Sequence, residues 1–181
     1  MEGILHRHPL RLENPLWDYA CARYANPELR DLCLHLQETR GADVNLVLAA
    51  GWAAQKGHCM ETARLHSQVA DWRHHIILPI RQCRQSLNKQ HCQERRLRNL
   101  ALKLEIRAEQ VELALIFFLL DQEINAAQKA PQGIPEKSQD IITICNQNLL
   151  DTLTCEGHAH PVVDGEIERL SFLLITGKLS S

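Results

Sequence analysis

Three glutamates, Glu105, Glu109 and Glu112, stand at i, i+4 and i+7 in a stretch free of proline and glycine, so a helix there aligns them in one acidic row. Like charges so spaced repel one another unless they are solvated, paired or bound to a cation. Left to themselves they could grip a divalent cation, or a diphosphate through bridging Mg²⁺. Faced by guanidinium groups they become an ion cluster instead. The bases that could do this are Arg73, Arg81 and Arg84, which form a row with Ile77 on the preceding segment. Arginine and carboxylate pair through two parallel hydrogen bonds. The same arrangement could equally surround a polar ligand. The sequence lacks two separated Asp-x-x-x-Asp repeats and paired Glu-x-x-His motifs, the donor sets of helical isoprenoid synthases and di-iron bundles. No metal and no cofactor is assigned.

A second constellation gathers at residue 43. Asp43 and Asn45 open a helix whose first amide hydrogens need acceptors, and Asp43 meets that need as an N-cap. With Trp17, Asp18, Trp52, Trp72 and Arg73 the same helix end could instead hold a small ligand or a peptide terminus. Tryptophans that pack into the core are the simpler reading. Cys155, His158 and His160 form a Cys-x-x-His-x-His cluster with soft donors for zinc. It needs a fourth ligand, which His58-Cys59 could supply only if the fold brings it close, and its flanking Gly157 and Pro161 favour a loop. No Gly-x-Ser-x-Gly elbow, P-loop or dinucleotide-binding glycine pattern is present.

These side chains need helices to position them. Residues 94–122 are expected to form the central helix, with Leu97, Leu100, Ala101, Leu104, Ala108, Val111, Leu115, Phe118 and Leu119 as its core-facing stripe. Leu102, Ile106, Leu113, Phe117 and Leu120 form a second apolar band, which requires the C-terminal half to be enclosed. The segment 61–89 carries Leu65, Val69, Trp72, Ile76, Ile80, Cys83 and Leu87 at helical spacing and should bend near Leu78, ahead of Pro79. Packed antiparallel to the central helix, it would bring the arginines to the glutamates.

Asn14-Pro15 and Asn26-Pro27 each pair a capping asparagine with proline at the first helical position. Gly41 ends the second helix, and Gly51 inside the third implies a close helix crossing. A loop lies near 130–137. Two further helices follow, one over 139–153 with Ile141, Ile142, Cys145, Leu149 and Leu153 inward. In the other, Asp164 is the expected cap, Ile167, Leu170, Ser171 and Leu174 face inward, and Gly177 is the stop. No alternating strand and no internal repeat is evident.

The chain has 181 residues, 45% hydrophobic and 23% charged, which suits one globular domain that needs no metal or disulfide to hold its core. A net charge of -2 gives no global attraction to nucleic acid or to an anionic membrane. The charge is uneven: residues 61–110 carry ten bases against five acids, and residues 111–181 four against ten. Arg95, Arg96, Arg98, Lys103 and Arg107 make a basic surface suited to an acidic protein. They do not share one helical face and lack interleaved aromatics, so nucleic acid is not the expected partner. Seven widely spaced cysteines without a Cys-x-x-Cys read as free thiols of the cytosol, with Cys33, Cys83 and Cys145 near apolar stripes. The apolar piece 113–120 is too short to span a bilayer, and residues 1–14 do not read as an export signal.

Asn14-Pro15-Leu16-Trp17-Asp18-Tyr19, Cys33-Leu34-His35-Leu36-Gln37 and Gly41-Ala42-Asp43-Val44-Asn45-Leu46 resemble segments of the DUF2390 family of small bacterial proteins of unknown function. The resemblance continues through Val69-Ala70-Asp71-Trp72-Arg73, Leu78-Pro79-Ile80-Arg81 and Leu102-Lys103-Leu104-Glu105, and so covers about residues 14–125. Ile80 stands where that family typically has leucine. The resemblance implies a bacterial cytosolic setting and no mechanism.

The expectation is an all-α domain of six or seven helices over 14–181, with residues 1–13 as a flexible arm. The expected role is a cytoplasmic adaptor or regulatory protein-binding module. The alternative is a small-molecule-binding protein or enzyme built on the Arg–Glu pocket, with or without a divalent cation.

Overall fold

A computed structural model describes residues 9–129, 140–155 and 164–177. The described chain is all-α: α1 (Pro15–Tyr24), α2 (Pro27–Arg40), α3 (Val44–Gln55), α4 (Thr62–Trp72), α5 (Leu78–Ser86), α6 (Cys92–Lys129), α7 (Ile141–Cys155) and α8 (Asp164–Thr176). A π-helical turn, Arg73–Ile77, joins α4 to α5 as one bent rod, so the described residues form seven rods, of which α6 is the longest.

The helix starts follow local chemistry. Asn14 Oδ1 accepts from the amides of Leu16 and Trp17, both at 3.0 Å, while Asn26 Oδ1 accepts from Glu28 and Leu29. Pro15 and Pro27 lose nothing there, since the first helical amide has no intrahelical acceptor. Gly41 closes α2 at φ 68°, a backbone region that glycine enters without steric cost. The carbonyls of Arg11 and Leu12 accept from Asn14 Nδ2, and Leu10 packs on the core.

The most enclosed element is α3, buried at every residue from Asn45 to Ala54 and packed against α1, α2, α6, α7 and α8. Gly51 permits this. A Cβ there would lie 2.4 Å from Tyr19 Oη and 2.8 Å from Leu174 Cβ, so a side chain would part α1 and α8 from α3. Tyr19 Oη donates to Leu174 O at 2.8 Å across the same crossing. Asn148 on α7 clamps the far end, accepting from Met60 N and donating to Ala50 O and His58 O.

The bend at Pro79 takes a specific form. Proline has no amide hydrogen and its ring crowds the carbonyl four residues back. The chain widens ahead of it, and the Leu78 amide donates to Arg73 O, five residues earlier. One extra residue in a turn rotates everything downstream by about 100°. The buried face therefore passes from Leu65 and Val69 to Arg73, Ile77 and Arg81, one position later than the expected stripe. Ile76 and Ile80 are only half-buried and Cys83 is exposed, correcting their assignment to the core.

A larger correction concerns α6, which runs longer than the expected 94–122. Its C-terminal half is enclosed as expected, with Leu113, Ala114, Leu115, Ile116, Leu119 and Leu120 buried. In its N-terminal half Leu97, Leu100 and Leu104 are 55%, 58% and 60% exposed, while Ala101, Glu105 and Ala108 are buried there. Leu102 and Ile106 are also exposed. In α7, Ile141 and Ile142 lie outward, while Ile144, Cys145, Asn148, Leu149 and Leu153 are buried. In α8, Ile167, Leu170, Ser171 and Leu174 face the core as expected, and Gly177 follows at φ 66°. The expected 130–137 loop, His158, His160 and the capping side chain of Asp164 lie outside the described residues.

Candidate functional site

The hairpin of α5 and α6 brings the arginine and glutamate rows together. Arg81 Nε donates to Glu105 Oε1 and its Nη2 to Glu109 Oε1, each at 2.7 Å. Arg84 Nε donates to Glu105 Oε2 and its Nη2 to Glu105 Oε1 at 3.2 Å. These bonds leave Nη1 of both arginines for another acceptor. Burial opposes the charged form of Glu105, but the hydrogen bonds and charges of Arg84 and Arg81 outweigh it and hold its pKa below the usual carboxylate value. Glu109 goes the other way: burial raises its pKa against the pull of Arg81.

Glu112 and Arg73 do not join this quartet. Glu112 is fully buried, and its Oε2 accepts from Asn45 Nδ2 at 2.6 Å. Its Oε1 has no hydrogen-bond partner among the described residues. Burial, then the nearby Asp43 charge, raises its pKa well above the ordinary value, favouring a neutral acid. Arg73 Nη1 sits 2.9 Å from Asp43 Oδ2, an ion pair whose angle falls short of a hydrogen bond. Its Nη2 donates to Gly41 O at 3.0 Å and Ala42 O at 3.3 Å. Asp43 Oδ1 caps α3, accepting from the Asn45 and Leu46 amides.

Arg81 and Arg84 form a wall shared by two clefts. On one side a cleft of about 560 Å³ lies among α1, α2, α3, α5 and α6, walled by Trp17, Tyr24, Leu48, Leu102, Ile106 and Leu113. On the other side an open cleft of about 840 Å³ is lined by Arg73, Lys89 and Arg98 beside the same two arginines, with Glu38 as its acid. Asn45, Glu105 and Glu109 face the apolar cleft.

The remaining sequence candidates disperse. Asp18 is exposed on α1 and lines neither cleft. Trp72 Nε1 donates to Ala108 O at 2.9 Å, which pins α4 to α6. Trp52 packs edge-on against Phe117 in the core. Thus Trp17 borders one of these two clefts, and Trp52 and Trp72 line neither. Arg98 turns back to donate to Arg84 O, whereas Arg95, Arg96, Lys103 and Arg107 are exposed on α6. Tyr24, Gln37 and Lys89 were not singled out by sequence, because a cleft between helices leaves no periodic mark on any one of them. Among the described residues no group of three or more His, Cys, Asp or Glu converges as a metal site. Cys155 is exposed at the end of α7, and His58 Nε2 lies 3.3 Å from Glu123.

The family model for DUF2390, a protein of unknown function, matches residues 15–116. The chain belongs to the DUF2390 family. The matched span includes every residue lining the two clefts and ends within α6, before α7 and α8. No curated protein and no solved structure matches the chain. Among the described residues no helix is long and apolar enough to cross a membrane.

Proposed function

We propose that this DUF2390 protein is a docking module whose α6 binds an acidic, amphipathic helix of another protein. The observation that carries the proposal is the exposed row Leu97, Leu100 and Leu104. A sequence patterned to bury these leucines leaves them in water, and such local mismatches concentrate at functional surfaces. Their spacing of three and four is that of a helix–helix seam. Arg96 and Lys103 then occupy the positions that flank such a seam and select opposite charge on the partner. Arg107 continues the basic edge, with its Nη1 donating to Gln110 Oε1.

The setting is the cytoplasm of a bacterium. None of the seven cysteines is in a disulfide, which fits a reducing compartment. Nucleic acid is a poorer partner, because the bases are interleaved with leucines rather than with aromatic stacking groups. An enzyme working through a divalent cation at the glutamate row draws less support, since Arg81 and Arg84 already neutralise Glu105 and Glu109.

A photo-crosslinking residue at position 100, compared with one at position 95, tests the surface in cells. Position 100 should yield one partner, joined through an acidic helical peptide, and Lys103→Glu with Arg96→Glu should abolish the product. Equal crosslinking from both positions, a product that survives the charge reversals, or a crosslink only to a second copy would each sink the proposal.

A further inference from the structure

We infer that the Arg81–Arg84 wall and the apolar cleft beside it form a binding site for a small monocarboxylate with an apolar body. The cleft, of about 560 Å³, falls within the range of small-molecule sites and is too small for a folded partner. Its wall is mainly apolar, from Trp17, Tyr24, Leu48, Leu102, Ile106 and Leu113. Leu102 and Ile106 remain 43% exposed, apolar surface that a bound body would cover.

The chemistry of the head group follows from where the two clefts meet. They share Leu34, Gln37, Arg81 and Arg84. Each arginine keeps Nη1 outside its bonds to Glu105 and Glu109, so a pair of planar donors is available to a carboxylate. The charge balance limits the ligand to one negative charge. Glu105 and Glu109 offset Arg81 and Arg84, Asp43 offsets Arg73, and Glu38 offsets one of Lys89 and Arg98 across the wall, which leaves one positive charge. A highly charged phosphate would meet two carboxylates with little net attraction. A cation would be repelled by that surplus.

Calorimetric titration of the full chain with sodium decanoate, and with decyltrimethylammonium as the cation of equal tail, tests the site. Decanoate should give saturable heat with one site per chain, and the cation none. Arg84→Gln should weaken decanoate by about tenfold, the scale of one charge-assisted hydrogen bond. Leu102→Glu, at a half-exposed wall position outside the ion cluster, should weaken it at least as much. Leu100→Glu, on the outer row, should leave it unchanged. If Arg84→Gln fails to fold by circular dichroism, Leu102→Glu still decides. Absence of saturable heat, equal binding of the cation, unchanged affinity in Leu102→Glu, or an equal loss in Leu100→Glu would overturn the assignment.

Discussion

Asn45 Nδ2 donates to Glu112 Oε2 at 2.6 Å, a bond that joins the first turn of α3 to the middle of α6 inside the core. Glu112 has a raised pKa through burial and the Asp43 charge, so folding favours its protonated form. Its contribution is complete below the unfolded value of about 4.3 and is lost as pH rises toward the folded value. Glu109 acts in the same direction, whereas Glu105, with a lowered pKa, loses its contribution only as pH falls below its unfolded value. Glu112→Gln keeps the shape and removes the ionisation. The variant should match wild type near pH 4 and gain on it by about 1.4 kcal/mol per pH unit until the folded pKa is passed, read from urea midpoints. A constant difference from pH 4 to 8 would refute a neutral Glu112.

Glu105 receives both Arg81 and Arg84, so truncating it strands Arg84 and leaves Arg81 with Glu109 alone. Glu105→Ala should cost about 3–5 kcal/mol in chemical denaturation. Replacing all three by apolar residues of similar volume should recover most of that loss. A truncation cost below about 1 kcal/mol would place the cluster with solvated surface pairs.

Gly51→Ala sets a better helix residue against a crowded crossing. Helix propensity favours alanine by about 1 kcal/mol, while the overlap with Leu174 Cβ forces α8 away from α3 at a cost of about 1–3 kcal/mol. The variant should be less stable than wild type, with its hydrogen exchange faster first in α8. A more stable variant would show that the crossing relaxes freely.

The cysteines divide by burial. Cys21, Cys59, Cys83, Cys92 and Cys155 are exposed, while burial pushes Cys33 up to about 12 and Cys145 up to about 11. A thiol reagent should modify the exposed group in the native protein and the other two only after denaturant is added. Early modification of Cys145 would contradict the packing of α7 on α3.

The caps at Asn14, Asn26, Asp43 and Gly41 were legible because each depends on neighbours within three or four residues. The close crossing at Gly51 and the enclosed half of α6 were legible too, from an unfavourable residue type and from apolar side chains all round. Periodicity could not tell which leucines of α6 have a neighbour: Leu97 and Leu104 follow the same pattern as Leu115 and Leu119, and only the third dimension separates them. Nor could it anticipate the one-residue slip at Arg73–Ile77, since the proline announces a disruption without saying whether the helix tightens or widens. The slip is why Cys83 lies outside and Arg81 inside. Of the candidate site, the Arg–Glu pairing was readable from charge rows, and the diversion of Arg73 to Asp43 and of Glu112 to Asn45 was not.

Arg73 fastens three pieces of chain with one side chain: the end of α2 at Gly41, the start of α3 at Asp43, and the widened turn that carries it. That rivet makes the corner between α2 and α3 and the base of the hairpin a single stiff frame. Beyond Ile77 the hairpin is held in a different way, with Arg81 and Arg84 clasping Glu105 and Glu109 and Arg98 returning to Arg84 O, so its two helical arms would shift against that frame as one unit.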